Sequence, residues 1–156
     1  MAVKKTLESC TINTEPLFFN HIIIAGGFDG ILELITQLKT SSQGVRSQEL
    51  KIVILHPEPP SDDLWDVIAD FPNLYYCKGS ALSSEDCHRC RVSSAHAVVL
   101  LVPASESQND GFAILAINHI EQLSKCIILA ELGTVCSFVS HSCSGWFQHK
   151  VLKEWG

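Results

Sequence analysis

The stretch His21-Ile22-Ile23-Ile24-Ala25-Gly26-Gly27-Phe28-Asp29-Gly30 leaves this chain few ways to fold. Ile22 to Ala25 form an unbroken apolar run, which reads as a strand buried on both faces, with no polar alternation to give it a wet side. Glycines follow at once. Ile31, Leu34, Ile35 and Leu38 then recur at helical spacing and predict a helix from about Asp29 to Lys39. A buried strand, a glycine-rich turn and a helix make the opening unit of a doubly wound α/β domain.

That opening unit is where a dinucleotide binds when three glycines stand in place. The first permits the tight turn, the second lets backbone approach the pyrophosphate, and the third lets helix pack on strand. Counted from Gly26, the second place is Phe28 and the third Ile31; counted from Gly27, they are Asp29 and Leu32. A phenyl ring at Phe28 fills the space pyrophosphate needs, and Asp29 brings like charge and can cap the helix itself. The acid expected at the end of the second strand, to hold the adenosine ribose, is His56. Gly26, Gly27, Phe28, Gly30 and His56 therefore outline a degenerate dinucleotide cleft, expected to be empty.

The rest of the chain alternates strands with helices. Strands are predicted at Leu50–His56, Leu74–Cys77, Ala95–Val102 and Cys126–Ala130. Helices are predicted from Ser61 to about Asp70, from Ser83 and Ser84 to about Arg91, and over Asn109–Leu123; Ser61, and the pair Ser83 and Ser84, stand ahead of acids as capping signals. Right-handed crossovers at this spacing give a Rossmann-like, doubly wound parallel sheet with helices on both faces. The expected domain spans residues 20–132. Residues 1–19 read as an arm or linker and residues 133–156 as an extension, in which Trp146 to Trp155 reads either as a short amphipathic helix or as the start of an element left incomplete.

The helix over Asn109–Leu123 carries Phe112, Ala113, Ile114, Leu115, Ala116, Ile117, Ile120 and Leu123, more than one face can hold. One side can cover the sheet, and the other calls for a second subunit or domain; a helix tucked under the C-terminal tail is the alternative.

At 156 residues, 46% hydrophobic and 18% charged, the chain suits one globular domain. A net charge of −6 without a basic cluster argues against nucleic acid. Its apolar runs are short for a membrane span, and no signal core follows Lys4 and Lys5. Seven cysteines, an odd count without a secretion signal, point to reduced thiols in the cytosol. Cys87-His88-Arg89-Cys90 has the spacing of half a zinc site, with Cys136, His141, Cys143 and His149 as a potential second half. The alternative is that Cys87 and Cys90 face the core from a short helix. No nucleophile elbow is present, because Gly79-Ser80-Ala81 lacks its following glycine, and His88, His96 and His119 read as surface or satisfied core residues.

In order and spacing, five segments resemble the RCK (regulator of potassium conductance) domains of eukaryotic Slo/BK-type potassium channels. They are His21 to Gly26, Leu50 to His56, Gly79 to Ser83, Arg91 to Leu101 and Ile127 to Leu132. Phe71-Pro72 and Gly27-Phe28-Asp29 look more like the second such domain of a subunit than the first. The resemblance implies a regulatory domain on the cytoplasmic side of a membrane, and no enzyme. It would pair with neighbouring RCK domains as a dimer or gating ring and act on the pore domain of its parent chain. It implies no organic cofactor, with calcium or sodium as a possible regulatory ion. The family's acidic calcium bowl has no counterpart here, and Thr40 to Gln48 carries no acid. Glu58, Asp62 and Asp63, or Glu106 and Asp110, are the remaining acidic candidates; caps and solvated acids are their other reading. With no pore segment, the chain reads as an excised domain. Two other classes stand beside this one: an NAD(P)-binding oxidoreductase, and an assembly module of the same fold that has lost its ligands.

Overall fold

The computed structural model describes residues 20–41, 50–102, 110–132 and 137–141. The predicted alternation is present: β1 (Ile22–Gly26), α1 (Ile31–Ser41), β2 (Ile52–His56), α2 (Asp62–Ile68), β3 (Leu74–Lys78), α3 (Ser84–Arg89), a 3-10 turn at Val92–Ser94, β4 (Ala97–Leu101), α4 (Gly111–Leu123) and β5 (Ile127–Leu132). The strands lie in the order β3-β2-β1-β4-β5, all parallel in their pairings. This is the doubly wound arrangement, with its switch point between β1 and β4.

Alternation along each strand divides the core between two layers. Ile23, Val53, Cys77, Val98, Leu100 and Ile128 point to the layer under α3 and α4, with Ala113, Ala116 and Ile120. Ile22, Ile24, Ile52, Ile54, Tyr76 and Val99 point to the layer under α1 and α2, with Ile31, Ile35, Trp65 and Ile68. Both faces of the sheet are thus covered by helices, as the apolar strands require.

One strand was not expected. β6 (Ser137–His141), within the stretch set apart above as an extension, pairs antiparallel with β5 and adds an edge to the sheet. Another correction falls at α1. Its first residue is Ile31, and the Gly30 carbonyl accepts from the Leu34 amide. The cap position is therefore Gly30, at φ +74°, and not Asp29. A left-handed turn favours glycine over an acid, whatever the acid offers the helix dipole.

His21 sits fully buried ahead of β1, its Nε2 2.8 Å from the Cys90 carbonyl and its own carbonyl 2.8 Å from the His96 amide. Burial, foremost, holds its pKa below the ordinary 6.5; Lys51 and Arg91 push the same way, and the Cys90 carbonyl opposes them. The unfolded chain therefore takes up this proton at a higher pH than the folded one. His21 contributes its full stability above pH 6.5 and loses it as pH falls through the lowered folded value. The melting temperature is expected to drop between about pH 7.5 and 5.5, and His21→Gln to flatten that drop relative to the parent. An equal slope in both proteins would refute the assignment.

Candidate functional site

The residues singled out by sequence converge at the C-terminal ends of β1 and β2, beside the switch point. Gly26 closes β1 opposite Leu101. A β-carbon on Gly26 would lie 1.9 Å from the Leu101 carbonyl oxygen, and its φ is +105°. The next amide, Gly27, donates to that same carbonyl at 3.0 Å. Gly26 thus lets β1 and β4 close on each other before the chain turns, and the Gly27 backbone amide bonds across the gap. Gly30, at φ +74°, has open space where a β-carbon would go, so it serves backbone conformation alone.

Phe28 and His56, each read separately above as a mark against a dinucleotide, are in contact. Their ring centroids are 4.2 Å apart, tilted by 40°. Phe28 packs against the layer under α1 and α2. His56 is held at several points. Its Nδ1 lies 2.7 Å from the Glu58 carbonyl and 3.0 Å from the Glu58 amide. Its own carbonyl accepts from Tyr76 Oη at 3.0 Å and from the Gly79 amide at 3.1 Å. Tyr76 in turn meets the Trp65 ring edge-on. An aromatic contact therefore joins the two sequence positions at which a dinucleotide-binding unit carries its second glycine and its ribose acid.

The turn after β3 buttresses His56 from behind. Gly79 leaves room for the Asp86 carboxylate, which accepts from the Ser80 amide at 3.0 Å and pairs with Arg89. Burial works against the charge on Asp86, yet the Ser80 amide and Arg89 together outweigh it and hold its pKa below the usual carboxylate range. Arg89 also donates to the Lys78 carbonyl, tying α3 to the end of β3.

The other candidates stand elsewhere. Asp110 occupies the N-cap position of α4 without a side-chain capping bond, and Glu106 lies outside the described residues. Glu58, Asp62 and Asp63 are exposed around the β2–α2 connection. Cys87 and Cys90 are buried in the layer under α3 and α4, as their core reading had it. Burial pushes the Cys87 thiol up to about 11, and the bond that the Cys90 thiol gives Cys77, together with burial, raises Cys90. Among the described residues no three His, Cys, Asp or Glu side chains are grouped so as to hold a metal ion. Cys136, Cys143 and His149 lie outside the described residues, and His141 is on β6. Among the described residues no helix is long and apolar enough to cross a membrane.

Compared with known families, residues 18–130 match the one described as the calcium-activated potassium channel slowpoke-like RCK domain. Among solved structures, the human SLO3 gating ring is similar at 22% identity and TM-score 0.56, covering 72% of this chain and 21% of that one. The GsuK channel bound to NAD is similar at 17% identity and TM-score 0.53, over 77% of this chain and 19% of that one. The GsuK RCK domain is similar at 16% identity and TM-score 0.51, over 83% of this chain and 24% of that one. At these identities the likeness establishes the fold. No curated protein matches the chain, which spans a quarter or less of each of these structures.

Proposed function

Because the chain belongs to the family of calcium-activated potassium channel slowpoke-like RCK domains, we propose that it is a regulatory domain of a potassium-channel gating ring. It couples cation binding and contact with neighbouring RCK domains to opening of a pore in the parent chain. The family match over residues 18–130 carries this reading. The gate responds because the cation binds one arrangement of the ring more tightly than the other, and that difference in binding free energy is all it can transmit. Neighbouring RCK domains are the partners proposed for the exposed side of α4.

The contact between Phe28 and His56, at the two places where the dinucleotide pattern calls for a glycine and a ribose acid, supports regulation without a dinucleotide. The NAD-bound GsuK channel favours a second reading, in which the same cleft admits a nucleotide. Thermal melting against calcium, sodium, magnesium, NAD and ATP separates the two. A ligand at a hundred times its Kd stabilises the folded state by about 2.7 kcal/mol, an upward shift of several degrees. A shift is expected with calcium or sodium and none with NAD. The double variant Phe28→Gly with His56→Asp, which restores the second glycine and the ribose acid, is expected to gain an NAD-dependent shift. A nucleotide shift in the parent protein, with none from any cation, would overturn the proposal.

A further inference from the structure

Outside the cleft, a serine and a histidine join α3 to α4. Ser84 Oγ lies 2.9 Å from His119 Nε2, and His119 Nδ1 lies 2.8 Å from the Ala81 carbonyl oxygen. A carbonyl oxygen only accepts, so Nδ1 carries the ring proton and donates it. Nε2 is left with its lone pair and accepts the Ser84 hydroxyl. A hydroxyl bonded to an imidazole whose far nitrogen is fixed by an acceptor is the arrangement that activates a serine nucleophile. The elements that set it are anchored in the core: Ala81 and Cys87 on one side, Ala116 and Ile120 on the other, are all at most 2% exposed. Ser84 itself is exposed.

We propose that Ser84 is an acyl-acceptor site with His119 as its general base, taking small, uncharged, activated acyl donors. Glu85, exposed and directly after Ser84, turns away anionic donors. Leu82, next to Ala81, is 45% exposed and offers apolar contact to a short acyl chain. In the step, Ser84 Oγ forms a bond to the carbonyl carbon and its proton passes to His119 Nε2. The tetrahedral adduct then collapses with cleavage of the bond to the leaving oxygen. An acyl-serine and a free alcohol result, and His119 returns the proton to the leaving group. This site is independent of the gating-ring reading.

The test uses the whole 156-residue chain with p-nitrophenyl acetate, following p-nitrophenolate release and locating the acetyl group by peptide mass. Acetylation of the Ser84 peptide is expected. His119→Gln keeps an amide that can hydrogen-bond but accepts no proton, and it should slow Ser84 labelling by about 100-fold. Ser84→Ala should remove the label from that peptide with melting unchanged. Labelling confined to amines, or equal Ser84 labelling in parent and His119→Gln, would overturn the proposal.

Discussion

Gly26→Ala is expected to destabilise the domain by about 4 kcal/mol, a large part of the roughly 5–15 kcal/mol that keeps domains folded. Two costs combine. At φ +105° any residue with a β-carbon is strained, by roughly 1–2 kcal/mol. The β-carbon would also stand 1.9 Å from the Leu101 carbonyl oxygen, backbone that cannot swing aside as a side chain can. Relief requires β1 and β4 to part at the switch point, which also breaks the bond from the Gly27 amide to that oxygen. Gly30→Ala separates the two costs. It shares a positive φ of +74° but meets nothing within 4 Å, so only strain of roughly 1 kcal/mol remains. Urea unfolding of parent and both variants measures the difference. Equal losses would mean that β1 and β4 accommodate the alanine, and that close approach is not why Gly26 is glycine.

The same glycine shows how far the sequence reaches. Ile22 to Ala25 followed by glycines announced a buried strand entering a tight turn, because each residue's own covalent limits already restrict it. The five parallel strands and their helices were legible for that reason. Contacts between distant segments were not. Phe28 and His56 were each visible as misfits to a dinucleotide pattern, but their contact exists only once β1 and β2 lie side by side. Ser84 and His119 were likewise an exposed helix start and a polar helix residue until α3 packed beside α4. β6 escaped because Ser137 to His141 is short and without clear alternation, so that its register is set by pairing with β5. At α1 the error was one of competing local rules. Asp29 is a good cap in isolation, but the left-handed turn at Gly30 moves the helix start past it.

Ile114→Asp combined with Leu115→Asp is expected to weaken self-association by at least about 30-fold while leaving the fold intact. α4 meets the sheet through Ala113, Ala116 and Ile120, where two alanines bring the helix axis close, and Phe112, Ile117 and Leu123 flank that contact. Ile114 and Leu115 lie outside it, 53% and 59% exposed. Nothing in the sheet contact requires them to be apolar, so their replacement should change stability by less than about 0.5 kcal/mol. Burial against a neighbouring RCK domain would instead gain roughly 1.5–3 kcal/mol for each side chain fully covered. Two carboxylates placed there would have to be desolvated opposite an apolar partner, which adds a penalty to the lost contact. Sedimentation velocity across a concentration series, with chemical unfolding of the same samples, reads both quantities. A double variant that sediments as the parent does would remove α4 from the assembly surface, whereas one that loses stability along with association would place Ile114 and Leu115 in the domain's own core.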